Sequence, residues 1–427
     1  MKSSMKESIL HWPSTELSVD VSFVLLFRFL FQTPQNPKSL KPSSTQAKMA
    51  LYRILYRTFS TSTSAQPNSA TTIKSISSDL FKERNLKRLV DNFKKSSEQY
   101  RFRTKTGIYE NTVRRLASAN RFRWIEEILE DQKKYIESSK EGFAARIITL
   151  YGRSGLFENA RKVFDEIPES KRSVLSFNAL LSACVHSKKF DMVDGYFREM
   201  PKKLSIEPDL VSYNTIIKAF CEMGSLDSAV SVIDEMEKKG LEPDLVSFNT
   251  LLNGLYRNGR FSDAEKIWGL MEKKNIVPDI RTYNAKLLGL ASENKTKEAI
   301  NLTGEMRTKG IAPDVYSFNS VIQAFINEGN LEGAKQWYGE IRKNDCAPDK
   351  VTYEILVPFV CKKGDLDFAS RLSEEIFNRR FLLDAAILQL VIDELVKTSK
   401  IEEAKKLVEL GKNNSHRKYK LKLPSDG

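Results

Sequence analysis

LVSYNTIIKAFCEMGSLDSAVSVIDEMEKKGLEPD, residues 210–244, runs directly into LVSFNTLLNGLYRNGRFSDAEKIWGLMEKKNIVPD, residues 245–279. The two stretches have equal length and one skeleton. The pair Pro-Asp recurs at Pro243-Asp244, Pro278-Asp279, Pro313-Asp314 and Pro348-Asp349, 35 residues apart. An Asn lies five residues after the Asp at Asn249, Asn284 and Asn319, and Asp209 with Asn214 has the same spacing. A fixed period in this range marks an array of supersecondary units rather than one globular core. Such a chain functions as a long surface.

Within 210–244, Tyr213, Ile216, Ile217 and Phe220 fall at helical spacing. Gly224 ends that helix. Leu226, Ala229, Val232, Ile233 and Met236 carry a second one, which Gly240 caps and Pro243 stops. The twentieth place of a unit, where its two helices should cross, holds Ala160, Ala229, Ala264, Ala299, Ala334, Ala369 and Ala404. Val193, Ile125 and Val90 stand there in weaker units. The units are then 71–105, 106–140, 141–173, 174–209, 210–244, 245–279, 280–314, 315–349, 350–384 and a partial one from 385. The second helix of a unit cannot bury its apolar stripe alone. The expectation is an all-α protein: a right-handed α-solenoid of about nine to ten helix–turn–helix repeats. Residues 71–173 read as divergent basic repeats, 174–349 as five regular ones, 350–410 as degenerate C-terminal repeats and 411–427 as a basic tail.

The net charge of +13 is unevenly placed. Residues 1–70 carry 8 Lys/Arg against 3 Asp/Glu, 71–123 carry 14 against 5, and 411–427 carry 5 against 1. The body, 124–410, carries 41 against 46. Basic ends point to a polyanionic partner. Solvated helix faces account for mixtures such as Glu235–Lys239. They account less well for Arg101, Arg103, Lys105, Arg114, Arg115, Arg121 and Arg123 in one stretch. Arg101, Arg103, Arg114, Arg115, Arg121 and Arg123 are therefore candidate phosphate contacts.

The first 70 residues lack the repeat. Val21–Phe31 is apolar but short and broken by Arg28, so no membrane span is expected. From Met49 the chain has Arg53, Arg57 and many hydroxyls, with no acid before Asp79. That composition suits a mitochondrial presequence starting at Met49, with processing near Ser60. Residues 1–48 contain Glu7, Glu16 and Asp20, which presequences avoid.

Little here suggests catalysis. His11, His186 and His416 lie far apart, which leaves nucleophilic triads without support. Cys184, Cys221, Cys346 and Cys361 form no C-x-x-C pair and no zinc spacing, and three of them sit at core places of their units. No phosphate-binding loop appears. The expectation is a non-enzyme without cofactor or metal.

The pattern V-x-[ST]-[YF]-N…G…A…M…P-D, matched five times in succession, resembles the pentatricopeptide repeat family. Nearly the whole chain after residue 71 fits it. Within that family the chain resembles plant mitochondrial members of the pure-repeat class, some of which are constituents of the mitochondrial ribosome. Phe102–Trp124 and Phe143–Phe164 carry that likeness. The resemblance implies RNA binding with the fifth and last residues of each unit as a base-reading pair. Carried over, the pairs are Asn178 with Asp209, Asn214 with Asp244, Asn249 with Asp279, Asn284 with Asp314, and Asn319 with Asp349. In the family, Asn with Asp favours uracil. The second residue packs on base faces, here Leu175, Val211, Val246, Arg281, Tyr316 and Val351. Against this, Asp before a helix and Asn in its first turn also serve as caps. The five regular units carry 22 Lys/Arg against 25 Asp/Glu, which suits docking by the basic ends on a folded RNA at least as well as threading a single strand. The implied partners are single-stranded or ribosomal RNA and mitochondrial ribosomal proteins, bound by a monomer in the mitochondrial matrix. The competing reading is a helical scaffold that binds proteins or peptides.

Overall fold

The computed structural model describes residues 73–379, 383–414 and 418–423. The chain divides into two units, Met1–Ala70 and Thr71–Gly427, and the fold below is that of the second. The presequence reading from Met49 to Ser60 and the apolar stretch Val21–Phe31 lie outside the described residues.

Two residues per unit set the geometry. The fifteenth place turns the first helix into the second with a left-handed backbone, at Gly224, Gly259, Asn294, Gly329 and Gly364. The thirty-first place does the same after the second helix, at Gly240, Asn275, Gly310 and Asp345. Glycine adopts positive φ without a Cβ clash, and Asn and Asp tolerate it best among the rest. Five successive first helices start at Asp209, Asp244, Asp279, Asp314 and Asp349, whose carboxylate accepts from the backbone N–H three residues on, while the Ser or Thr there accepts from the Asp N–H in return. This reciprocal cap satisfies two donors that a helix start otherwise leaves unpaired.

Between these punctuation points the chain is helical. The regular units comprise Val174–His186 with Phe190–Leu204, Leu210–Met223 with Leu226–Lys238, Leu245–Arg257 with Phe261–Lys273, Ile280–Ser292 with Thr296–Thr308, and Val315–Asn327 with Leu331–Lys343. Upstream lie Ile73–Lys82 with Leu86–Ser97, Thr106–Ser118 with Phe122–Glu130, and Glu141–Arg153 with Phe157–Glu166. Downstream lie Lys350–Lys362 with Leu366–Phe377, and Ala385–Lys397 with Ile401–Asn413. The described residues thus form an α-solenoid of ten helix pairs, and the last pair is complete rather than partial.

The core runs continuously along the array. All seven alanines at the twentieth place are fully buried, and Val193 and Ile125 with them. The fourth place supplies a ring in every regular unit: Phe177, Tyr213, Phe248, Tyr283 and Phe318 are wholly enclosed. First helices pack on the first helices of the next units. Contact is closest where glycine meets the neighbour: Gly289 faces the Tyr256 ring, and Gly254 faces Cys221. Cys184, Cys221 and Cys361 are buried core residues, and burial pushes their thiols up to about 12, 12 and 11. Trp268 and Trp337 are packing residues on second helices.

Along the second helices, ion pairs join neighbouring units. Arg198 meets Glu235 at 2.6 Å, Lys274 meets Glu237 at 2.6 Å, and Lys406 meets Glu374 at 2.7 Å. Arg260 reaches Asp227, and Lys335 reaches Asp365. Exposed pairs of this kind add little stability individually, but they neutralise much of the body's charge locally.

The expected basic tail, 411–427, begins inside the last helix, which continues to Asn413. Residues 418–423 fold back on it. Tyr419 and Leu421 are buried beside Gly411 and Phe377, while Lys418, Lys420 and Lys422 face out. The Gln389 amide clamps the backbone of Lys422 with two hydrogen bonds, at 2.8 and 3.0 Å. The terminal helix pair is thereby covered instead of leaving its apolar face open.

Candidate nucleic-acid interface

The second residue of a unit lies one turn before the fifth on the same helix face. Leu175, Val211, Val246, Tyr316 and Val351 stand 43–63 % exposed, and Arg281 is exposed in the same series. An apolar side chain in water at one place of four of the five regular units, with Arg281 in the other, is a repeated feature, not scattered surface. Five of these six positions sit one turn before an Asn; Val351 precedes Glu354 instead.

The Asn side chains are not free-standing. Asn178 Nδ2 donates to Asp209 Oδ1 at 2.9 Å. Asn214 donates to Asp244 at 3.3 Å, Asn249 to Asp279 at 3.0 Å, Asn284 to Asp314 at 3.1 Å and Asn319 to Asp349 at 3.1 Å. All five expected pairs are therefore brought together. On the other side, each Asn Oδ1 accepts from the hydroxyl three residues into the following unit. Ser212, Ser247, Thr282 and Ser317 donate at 2.6 Å, and Thr352 at 2.8 Å. These hydroxyl residues are fully buried. They are the members of the site that sequence reading missed, although [ST] stands at the third place of the repeated pattern.

A carboxylate only accepts, so the amide nitrogen must face the Asp and the carbonyl must face the hydroxyl. Each amide then keeps one N–H and one lone pair outside this network. Asn178 and Asn319 are the most enclosed, 9 % and 6 % exposed; Asn214, Asn249 and Asn284 are half-buried. The Asp does capping and pairing at once. Burial pushes the Asp279 carboxyl up, but hydrogen bonds from the Thr282 backbone, the Asn249 amide, the Thr282 hydroxyl and the Arg281 backbone outweigh it. The net effect holds Asp279 below the usual carboxylate range. Capping and side-chain pairing are thus one arrangement rather than alternatives.

The pattern stops at both ends. In the unit before, the fifth residue is Ala145, and Ser176 donates to the Ser173 carbonyl instead. In the unit after, Glu354 pairs with Lys350 at 3.2 Å, and Asp384 caps Ala386.

Profiles of three repeat descriptions match this chain. The PPR repeat family matches residues 208–257, 243–292, 282–325 and 313–362. The pentatricopeptide repeat domain matches 162–223, and the PPR repeat matches 146–171. Together they span residues 146–362, half of the chain. This chain belongs to the pentatricopeptide repeat family.

Among similar family members is the small ribosomal subunit protein mS78 of Arabidopsis thaliana. It is 54 % identical over 208 residues, 45 % of this chain and 52 % of the relative. The small ribosomal subunit protein mS79 of the same plant is 61 % identical over 160 residues, 37 % of this chain and 41 % of the relative. The chain thus spans about half the length of the curated relatives it matches. The crystal structure of the pentatricopeptide repeat protein PPR10 from maize is similar over 83 % of this chain and 50 % of its own, with 21 % identity and a TM-score of 0.49.

The basic segment of this repeat protein splits into two groups. Arg103 donates to the carbonyls of Ser97 and Glu98 at 2.9 Å and lies 3.9 Å over the Tyr135 ring. Arg115 holds the C-terminal end of the first helix, donating to Leu80 and Glu83 carbonyls. Both guanidinium groups are spent on the fold. Arg101, Arg114, Arg121 and Arg123 are exposed, and Arg121 lies 5.3 Å over Trp124. Arg114 also lines a cleft of about 470 Å³ with Phe81, Asn111 and Arg153.

Proposed function

We propose that this chain is a mitochondrial RNA-binding protein of organellar gene expression, acting by binding alone as a component attached to the mitochondrial ribosome in the matrix. One observation carries the reading: five Asn–Asp pairs at a fixed period, each beside an exposed side chain able to lie on a base. An amide edge with one donor and one acceptor matches the edge of a pyrimidine, and the neighbouring Leu, Val, Tyr or Arg supplies a sequence-tolerant platform. Uracil is the expected base. The names of the two relatives, both small ribosomal subunit proteins, support the ribosomal setting. The charge map supports it too: the regular units are slightly acidic and add little attraction for a phosphate backbone, whereas the exposed Arg101, Arg114, Arg121 and Arg123 add much. In this reading 71–173 docks on ribosomal RNA, 174–349 holds a short single-stranded segment, and ribosomal proteins meet the remaining surface.

The test has two arms. Purified protein is titrated with U-rich and C-rich single strands at physiological salt, and mitochondrial extract is sedimented with and without ribonuclease. The reading expects preference for the U-rich strand and ribonuclease-sensitive comigration with ribosomal particles. Comigration that survives ribonuclease, with no binding to either strand, would instead establish a protein-binding scaffold.

A further inference from the structure

The buried hydroxyls have no proton left for an outside partner. Ser247 shows the geometry. Its Oγ accepts from the Asp244 backbone N–H at 3.2 Å and lies 2.6 Å from Asn214 Oδ1 and 2.9 Å from Asp244 Oδ1. Both of those oxygens are acceptors, and a hydroxyl has one proton. The shorter contact takes it. The same trio recurs with Ser212, Thr282, Ser317 and Thr352. One unit differs: where the preceding unit offers Ala145 instead of Asn, and the cap is Ser173 instead of Asp, Ser176 donates to the Ser173 carbonyl. In the five sites the hydroxyl reaches the Asn as well as closing the cap.

We propose that Ser212, Ser247, Thr282, Ser317 and Thr352 are positioning residues of the base-reading sites, each fixing the amide of the Asn in the preceding unit so that it discriminates uracil from cytosine. The inference rests on the RNA-binding reading above. Its chemistry is that of the amide edge. Uracil presents N3–H flanked by carbonyl acceptors, whereas cytosine presents an amino donor beside an N3 acceptor. Turning an Asn amide over exchanges its donor and acceptor and so exchanges the preferred pyrimidine. Asp244 rejects the flipped amide, because two acceptors would then meet. Ser247 holds the carbonyl in place from the other side. Without it, the amide is fastened at one end and can pivot. A reading site therefore comprises three residues from two units, and a unit's base preference depends on its successor. This also explains where reading ends: after Asn319 no further unit has both an Asn at its fifth place and a hydroxyl at the third place of the next, since these are Glu354 and Ile387.

The test is a paired variant of the full chain, Ser247→Ala with Thr282→Val, which loosens Asn214 and Asn249. Affinities are measured for a U-run and for the same strand with C at two adjacent places, alongside helical content and melting. The preference for U over C should fall about fivefold at each place, as for one lost hydrogen bond. The exchange Ser247→Thr with Thr282→Ser should restore it. A merely structural role would lower stability through the lost cap and leave the U-to-C ratio unchanged in the folded variant, and that outcome overturns the proposal. A wild-type chain without U preference, unaffected by Asn214→Thr with Asn249→Thr, would instead remove the RNA-binding reading itself.

Discussion

Gly289→Ala sets two effects against each other. Gly289 lies in the interior of Ile280–Ser292, where alanine is the better helix former by about 1 kcal/mol. Propensity alone therefore expects stabilisation. A Cβ there, however, would lie 2.1 Å from Cδ1 of Tyr256 and 2.8 Å from its Cγ and Cε1. Carbon atoms in contact need about 3.5 Å, so the ring or the helix must retreat by roughly 1.5 Å. Tyr256 has nowhere to go. It is 1 % exposed, and its hydroxyl donates to Glu265. Overpacking costs about 1–3 kcal/mol, and weakening a hydrogen bond to a charged group costs about 1.5–3 kcal/mol more. After subtracting the propensity gain, a net loss of about 1.5–5 kcal/mol is expected. Gly304→Ala is the matched control. It lies mid-helix in Thr296–Thr308 with nothing within 4 Å of its Cβ, and should gain about 0.5–1 kcal/mol. The assay is urea denaturation of both variants followed by helical circular dichroism. An array of repeats need not unfold in one step, so midpoints are compared within this one chain. A Gly289→Ala midpoint at or above that of Gly304→Ala would refute the close packing of successive first helices.

Three further outcomes are expected. Ala264→Leu should overpack the fully buried crossing of its two helices and destabilise by about 1–3 kcal/mol, measured by the same denaturation. Charge reversal at Arg101, Arg114, Arg121 and Arg123 should weaken binding to any RNA and lower the slope of log affinity against log salt by up to about 4; an unchanged affinity and salt slope would speak against phosphate contacts. For Asp279, whose carboxyl is depressed in the folded chain, the linked stability is present above about pH 4 and is lost as pH falls through the depressed value. Asp279→Asn should therefore show a shallower loss of stability on acidification than wild type, and equal acid profiles would count against the depressed carboxyl.

Local pattern determined the greater part of this architecture. A period of 35, two turn positions per unit and a 3.6-residue apolar spacing require nothing beyond neighbouring residues, so the helix pairs, the buried alanines and the core cysteines were legible at once. The Asn–Asp pairing was legible only by resemblance, because its partners lie 30 or 31 residues apart. What tertiary structure alone decided is which polar groups are spent and which remain. Stacking one unit on the next lays Ser247 against Asn214, and no spacing rule on a single helix contains that contact. Packing of the second unit on the first turned Arg115 from a candidate phosphate contact into a strut for the carbonyls of Leu80 and Glu83, and the turn after Ser97 did the same to Arg103, which Tyr135 covers. The return of residues 418–423 onto the last pair made a basic tail into a cover. Helix formation is a matter of the nearest few residues. The fate of a hydrogen bond in a solenoid depends on the fit of surfaces a whole repeat apart.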